Sequence, residues 1–201
     1  GLSIGELALM IDGMNWIRPD RDLDLEIIKV LGWSGELVNI DVPPSPNISD
    51  LETAVIYSGL CLLEGTNVSE GRGTETPFKI FGAPWLNASD IIDRIQSFGA
   101  RGFDVSEVNF TPESIPGKAA YPKYKSQMCK GIKIELTEYN EVYPLKLAVL
   151  ILKSIHDSDP QNFQILESNF IDKLYGSDEL RKNIINGLSI NELVLTWKDE
   201  S

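Results

Sequence analysis

The segment from Cys61 to Trp85 constrains the fold of this 201-residue chain more than any other stretch. It opens at the end of an apolar run, residues 54–63, and then places two carboxylates and a guanidinium among closely spaced glycines. Apolar runs are buried in a folded chain, whereas glycines let the backbone take positive φ and approach a ligand closely. We therefore expect a buried element that emerges into a sharply turning polar loop at the wall of a ligand cleft. A solvated loop braced by one Glu–Arg pair is the alternative.

Helical and strand patterns both occur along the chain, which predicts a mixed α/β (α+β) fold. Capping boxes at Ser3 and Glu6 and at Ser49 and Glu52 predict two helices, the second reaching about Tyr57. Further helices are predicted at residues 90–98, 144–155, 169–175, 177–186 and 189–197, and strands at 24–33, 103–110 and 130–137. The prolines of residues 43–47 predict a rigid loop. Two α/β pieces, residues 1–85 and 86–201, are the expected domains.

The chain is acidic, with 30 Asp and Glu residues against 18 Lys and Arg residues and a formal net charge of -12. Binding to a polyanion requires a basic face, so nucleic acid is not an expected partner. A membrane-spanning helix requires about 20 apolar residues. The longest run of apolar residues without interruption, residues 147–152, falls far short of that length. We therefore expect no membrane span, and the sequence shows no apolar segment typical of a signal peptide.

Cysteine and histidine are scarce, with two and one copies respectively. Cys61 and Cys129 lie too far apart in sequence for a Cys-rich zinc site or a CxxC redox motif. We expect two separate buried thiols, with one disulfide as the alternative. His156 is expected near the C-terminus of a helix, where its positive charge is favourable. A nucleophilic triad built on that histidine is disfavoured, and no metal or cofactor is expected.

Five sequence motifs carry a resemblance to a known family. They are PPSPN at residues 43–47, EGTNVSEGRGT at 64–74, GAPW at 82–85, FTP at 110–112 and LYGSDELRKNIINGLSINELVLTW at 174–197. Through these motifs the sequence resembles the NamZ-type peptidoglycan exo-β-N-acetylmuramidases, and the resemblance covers essentially the whole chain. The family's Glu-His-Gly motif and a Thr-Gly-x-Pro-Trp segment are absent from this sequence. Any catalytic assignment confined to these residues is therefore incomplete.

The resemblance implies that residues 1–85 are the C-terminal part of a Rossmann-like catalytic domain and that residues 86–201 form a smaller C-terminal α/β domain. It implies an enzyme that releases N-acetylmuramic acid from the non-reducing ends of peptidoglycan fragments, in the periplasm or outside a bacterial cell. The expected partners are muropeptides and, within the same protein, an N-terminal catalytic half. A non-catalytic peptidoglycan-binding or assembly module is the alternative.

Glycosidic cleavage generally uses two carboxyl groups that flank the scissile bond. Glu64 and Glu70 are therefore the candidate catalytic residues. Glu64 is the better candidate for the general acid or base because it directly follows an apolar stretch. For Glu70, an ion pair with Arg72 that braces the loop is the more probable role, and either glutamate is able to pair with a carboxyl group from the N-terminal half.

The remaining candidates are substrate-binding residues. The guanidinium of Arg72 is suited to bidentate binding of the lactyl carboxylate that distinguishes muramic acid from glucosamine. Small polar side chains at Thr66, Asn67 and Ser69 are candidates for hydrogen bonds to ring hydroxyls or to the N-acetyl group. Trp85, or Trp33, is a candidate apolar platform for a sugar face, with interdomain packing as the alternative.

Overall fold

The computed structural model describes residues 2–17, 23–32, 34 and 41–195. The chain divides into two compact units, Gly1–Val38 and Asn39–Ser201. Among the described residues, the helices are α1 (Ile4–Gly13), α2 (Leu51–Leu60), α3 (Ala88–Ser97), α4 (Pro144–Ser158), α5 (Phe170–Tyr175), α6 (Glu179–Ile185) and α7 (Ile190–Leu195). The strands are β1 (Ile80–Ala83), β2 (Phe103–Phe110) and β3 (Cys129–Leu136). This mixture confirms the predicted fold class.

The described part of the first unit is helix α1 followed by irregular chain. The predicted capping box is confirmed, since Ser3 Oγ accepts a hydrogen bond from the Glu6 backbone at 3.3 Å and Glu6 Oε2 accepts one from the Ser3 backbone at 2.7 Å. The predicted strand at 24–33 is wrong over residues 24–32, which take no regular secondary structure. Its apolar side chains, such as Ile28 and Leu31, are exposed, and no described segment offers them a partner strand. Trp33 lies outside the described residues.

The second unit is built on a three-stranded antiparallel sheet in the order β1-β3-β2. Ile132 at the centre of β3 lies opposite Phe81 on β1 and Glu107 on β2. The predicted strands at 103–110 and 130–137 are confirmed as β2 and β3. Strand β1 was not predicted because its four residues are all buried and show no alternation.

Helices α3 and α4 pack against each other, and α2 packs against α4. The predicted helix at 144–155 is confirmed as α4, with Pro144 in its first turn and an uninterrupted buried run from Leu147 to Ile155. Gly59 permits the close contact between α2 and α4, because a Cβ atom there would lie 2.0 Å from the carbonyl oxygen of Pro144. The core of the unit therefore surrounds α4.

The start of α2 differs by one residue from the prediction. Asp50, and not Ser49, is the N-cap residue, and its Oδ1 accepts a hydrogen bond from the Thr53 backbone at 2.8 Å. Glu52 does not close a capping box, because its carboxylate binds Lys79 and accepts a hydrogen bond from the backbone of Leu136. The two carboxylates thus attach α2 to the sheet.

The other predicted elements are found close to their expected positions. The helix predicted at 90–98 is α3, and those at 169–175, 177–186 and 189–197 are α5, α6 and α7, the last described as far as Leu195. The proline-rich segment at 43–47 is irregular, as predicted. Strands β1 and β3, which lie on either side of position 85 in sequence, pair in one sheet. The domains at 1–85 and 86–201, with a Rossmann-like origin for the first, stay predictions.

Candidate functional site

The candidate site is the loop of residues 64–73, which directly follows a buried element. After α2 the chain forms a 3-10 helix, Cys61–Gly65, in which Leu62 and Leu63 are buried. The loop then runs along the open edge of β1, where Ser69 and Gly82 exchange two backbone hydrogen bonds of 2.8 and 2.9 Å. This arrangement confirms that a polar loop emerges from a buried element, and it anchors the loop to the sheet.

Two glycines of the loop have the positive φ that the sequence predicted. Gly71 has φ 77° and Gly73 has φ 84°. A Cβ atom at Gly71 would lie 2.6 Å from the carbonyl oxygen of Ile80, and one at Gly73 would lie 2.5 Å from that of Glu113. Both positions therefore require glycine for their backbone conformation and for the close approach of neighbouring chain.

The charged side chains of the loop form an ion cluster of four residues, Glu64, Glu70, Arg72 and Lys123. Arg72 Nη2 lies 3.2 Å from Glu64 Oε1, and Arg72 Nε lies 3.6 Å from Glu70 Oε1. The other oxygen of Glu70 accepts a hydrogen bond of 2.9 Å from Lys123 Nζ. The side chain of Glu64 is 24% exposed and that of Glu70 is 6% exposed. The two carboxylates thus share one guanidinium, and only Glu64 is substantially accessible to solvent.

Lys123 is the member of the ion cluster that the sequence did not identify. Its ammonium also donates hydrogen bonds of 2.9 Å to the carbonyl oxygens of Leu63 and Val68. One cation therefore binds both the end of the 3-10 helix and the loop that follows it. A buried carboxylate such as Glu70 requires a cation. In the sequence the neighbouring Arg72 already provides one, so no local pattern indicated that a distant lysine would also bind Glu70.

The guanidinium of Arg72 also packs against an aromatic ring. Its guanidinium carbon lies 5.0 Å from the centroid of the Phe78 ring, a cation–π distance. Phe78 is fully buried, has φ 65°, and makes an edge contact with Tyr57 at 4.8 Å between ring centroids. The guanidinium is therefore fixed by two carboxylates and a ring before any ligand binds.

Thr66 and Ser69, predicted to bind substrate, are buried and make hydrogen bonds within the loop. Thr66 Oγ1 donates to the carbonyl oxygen of Leu63 at 2.8 Å and accepts from the Val68 backbone at 3.1 Å. Ser69 Oγ accepts from the Gly71 backbone at 3.3 Å. These bonds give both side chains a role in holding the loop, and their part in substrate binding stays a prediction.

Asn67 and Trp85, the other predicted binding residues, are joined through Tyr124. The Asn67 side chain bonds to the backbone of Asn162 at 2.8 Å and of Gln164 at 2.9 Å. The Tyr124 hydroxyl donates to the Asn67 carbonyl oxygen at 2.7 Å and accepts from Trp85 Nε1 at 3.2 Å. Trp85 lines a cavity of about 660 Å³ that the ion cluster does not line. The structure therefore links Trp85 to the loop without placing it beside Glu64.

The cysteines and the histidine lie in structural positions. Cys61 and Cys129 are free thiols, as predicted, but only Cys129 is buried, whereas Cys61 is partly exposed. Burial raises the pKa of Cys129 to about 11, and burial together with the nearby Glu64 carboxylate raises the pKa of Cys61. His156 is in the last turn of α4 with Nδ1 3.0 Å from Asp157 Oδ1, which confirms its predicted position. Within the described ranges, no group of three or more His, Cys, Asp or Glu residues is arranged to hold a metal ion.

Residues 55–201 match the family model described as "Exo-beta-N-acetylmuramidase NamZ, C-terminal". The chain belongs to this NamZ C-terminal family. The resemblance carried by the five sequence motifs is thereby confirmed. The peptidoglycan β-N-acetylmuramidase NamZ of Bacillus subtilis strain 168 is 30% identical to this chain over 203 aligned positions, gaps included. The aligned region covers 98% of this chain and 46% of that protein. The chain thus spans about half the length of the curated relative that it matches.

Two solved structures share the fold of this member of the NamZ C-terminal family. Both are DUF1343 family proteins of Bacteroides fragilis NCTC 9343. One matches with a TM-score of 0.72 and 22% identity over 91% of this chain and 48% of its own. The other matches with a TM-score of 0.68 and 28% identity over 100% of this chain and 52% of its own.

Proposed function

We propose that this chain is part of a glycoside hydrolase that releases N-acetylmuramic acid from the non-reducing ends of peptidoglycan fragments. The supporting observation is the ion cluster, in which Arg72 joins Glu64 and Glu70 on one glycine-containing loop. Membership of the NamZ C-terminal family and the activity for which the Bacillus subtilis relative is named support the substrate class. We further propose that the protein is bacterial, acts in the periplasm or after secretion, and serves cell-wall recycling.

Within this proposal, the two glutamates have different tasks. Glu64 is partly accessible and its described ion pair is to Arg72 alone, so it is the carboxyl group that exchanges a proton with the substrate. Glu70 is almost fully buried and its two oxygens are bound by Arg72 and Lys123, so it positions the guanidinium. The second reacting carboxyl group then comes from the part of the enzyme outside this chain.

Arg72 binds the lactyl carboxylate of muramic acid in this proposal. The ion cluster contains two carboxylates and two cations, so its formal charge is zero before substrate binds. A third carboxylate on Arg72 leaves an excess negative charge at a partly buried site.

The first unit supports the proposal that an N-terminal half completes the enzyme. Large apolar side chains between residues 2 and 31 are exposed, among them Ile4 at 90%, Ile28 at 86% and Leu31 at 94%. Extended apolar surface of this kind is typical of a surface that another part of a protein covers. The relatives are about twice as long as this chain, so we propose that their additional region provides that cover.

A non-catalytic peptidoglycan-binding or assembly module is the second candidate. The observation that favours it is that Glu64 and Glu70 are both paired with Arg72, so neither carboxylate is free of a cation for acid–base chemistry. Such a module binds muramic acid without turnover. No helix in the described part of the chain is long and apolar enough to cross a membrane.

The test is hydrolysis of a chromogenic aryl β-N-acetylmuramide by the full-length protein, beside the matching glucosaminide. We expect release from the muramide alone, and Glu64→Gln is expected to lower kcat by roughly 100-fold or more because proton transfer is lost. Glu75→Gln, at an exposed glutamate of the same loop region, is the matched control and keeps full activity. Equal hydrolysis of both substrates, or full activity in Glu64→Gln, contradicts the proposal. Tight binding without turnover favours the binding module.

A further inference from the structure

The cavity lined by Trp85 lies beside the sheet and next to the start of α3. Strands β2 and β3 supply Glu107, Asn109 and Lys130, and Asn87 precedes the first residue of α3. Asn109 and Lys130 are directly opposite each other in the strand register. At about 660 Å³ the cavity is large enough for a small ligand. Its lining therefore combines one aromatic side chain with amide and charged groups on a rigid frame.

Trp85 lines this cavity and is partly buried against the core. Its indole N–H already donates to the Tyr124 hydroxyl at 3.2 Å, and that hydroxyl donates to the backbone of Asn67. The ring is thus held in place by its one polar atom, which leaves ring carbons for contact with a ligand. An aromatic ring fixed in this way is suited to the apolar face of a sugar.

The polar side chains around Trp85 differ from those of the loop because they make few hydrogen bonds or ion pairs with other described residues. Glu107 and Lys130 form no ion pair with any described residue, and the Asn109 amide makes no hydrogen bond to one. Asn87 Oδ1 accepts a hydrogen bond from Ser89 Oγ at 3.1 Å, but its amide N–H groups have no partner among the described residues. One carboxylate and one ammonium leave the lining without net charge. This chemistry matches a neutral ligand rich in hydroxyl and amide groups.

The cavity is also placed at a useful distance from the ion cluster. Ser69, Gly82, Gly131 and Val108 follow one another across the sheet in a single row. Three steps between neighbouring strands, each of about 4.8 Å, separate Ser69 from Val108 by roughly 14 Å. A short oligosaccharide spans that distance.

We propose that this cavity is a distal subsite that binds a neutral N-acetylated amino sugar of the glycan strand, on the reducing side of the bond that is cleaved. The inference rests on the proposed glycosidase function. It assigns sugar stacking to Trp85 and hydrogen bonding to Asn87 and Asn109. It also predicts that the enzyme favours glycan fragments over substrates that carry only one sugar.

The experiment compares two substrates of the full-length protein, the aryl β-N-acetylmuramide and a peptidoglycan tetrasaccharide. Asn109→Ala removes one hydrogen-bonding group, so we expect KM for the tetrasaccharide to rise roughly fivefold while KM for the aryl muramide stays unchanged. Asn140→Ala, at an exposed asparagine outside the cavity, is the matched control and changes neither value. Equal effects on both substrates, or none on the tetrasaccharide, overturn the inference.

A binding measurement separates this inference from the proposed function. Chitotriose, which contains only N-acetylglucosamine, is titrated into the full-length protein while the indole N–H signal of Trp85 is followed by NMR. A shift of that signal, lost in Asn109→Ala and retained in Asn140→Ala, supports the subsite even if neither substrate is hydrolysed. A signal that does not move with chitotriose overturns the subsite, whether or not the aryl muramide is cleaved.

Discussion

Replacement of Lys123 by methionine tests the organisation of the ion cluster most directly. Methionine fills a similar volume but removes the ammonium, so three hydrogen bonds of 2.9 Å are lost, to Leu63, Val68 and Glu70. Glu70, with its side chain 6% exposed, then keeps, among the described residues, only the longer ion contact of 3.6 Å with Arg72. The variant therefore leaves a buried carboxylate with an incomplete set of partners.

The expected cost follows from that geometry. Removal of one partner from a buried ion pair costs about 3–5 kcal/mol. Lys123 is 24% exposed and Arg72 remains beside Glu70, so we expect the lower end of the range or slightly less, about 2–3 kcal/mol. A loss of this size lowers the Tm of a chain of this length by about 4–12 °C.

Urea unfolding followed by circular dichroism measures the loss, with Lys125→Met as the matched control. Lys125 is exposed and forms no ion pair with a described residue, so its variant is expected to lie within about 0.5 kcal/mol of the parent chain. Glu70→Gln in the Lys123→Met background removes the buried charge and is expected to restore part of the stability. A Lys123→Met variant as stable as the control, or no recovery in the double variant, refutes the reasoning.

Two further predictions concern the loop and the start of α2. Gly71→Ala is expected to destabilise the chain by about 2 kcal/mol or more, because φ is 77° and the new Cβ lies 2.6 Å from the Ile80 carbonyl oxygen; unfolding as stable as the parent's contradicts this. Although burial opposes ionisation, hydrogen bonds from Thr53 and Lys79 hold the pKa of Asp50 at about 2, below its usual 3.8. This stabilisation is present above pH 3.8 and is lost as the pH falls toward 2. Discounted for a side chain 47% exposed, it is worth about 1 kcal/mol. Asp50→Asn is expected to flatten the pH dependence of urea unfolding over that interval, and an unchanged dependence refutes the assignment.

The sequence predicted most elements of the fold because their signals are local. Ser3 and Glu6 cap α1 through contacts within one turn, and in β3 the buried Ile132 and Ile134 alternate with more exposed residues. The failures have non-local causes. Residues 24–32 have strand-like composition without a described partner strand, and β1 is too short to show a period. Asp50 replaces Ser49 as the cap because Glu52 binds Lys79 and the Leu136 backbone instead of the Ser49 backbone.

The site was only partly accessible from sequence for the same reason. The spacing of Glu70 and Arg72 within one loop predicted their ion contact, which is present, but the shorter contact between Arg72 and Glu64 was not predicted. The sequence did not place Lys123 in the site, because its position there depends on how the chain folds back to the loop. The internal hydrogen bonds of Asn67 likewise depend on residues near position 163. Contacts between distant segments carry no periodic signal in a single sequence.

The bonds that hold the loop also set the order in which it matures on the ribosome. Residues 64–73 are translated early, but their cation at Lys123 comes fifty positions later, and the backbone groups that bind Asn67 come later still. The loop therefore cannot form its full set of hydrogen bonds until Gln164 has left the exit tunnel. A premature stop codon between residues 73 and 123 yields a chain that contains Glu64, Glu70 and Arg72 but lacks both Lys123 and the backbone groups that bind Asn67.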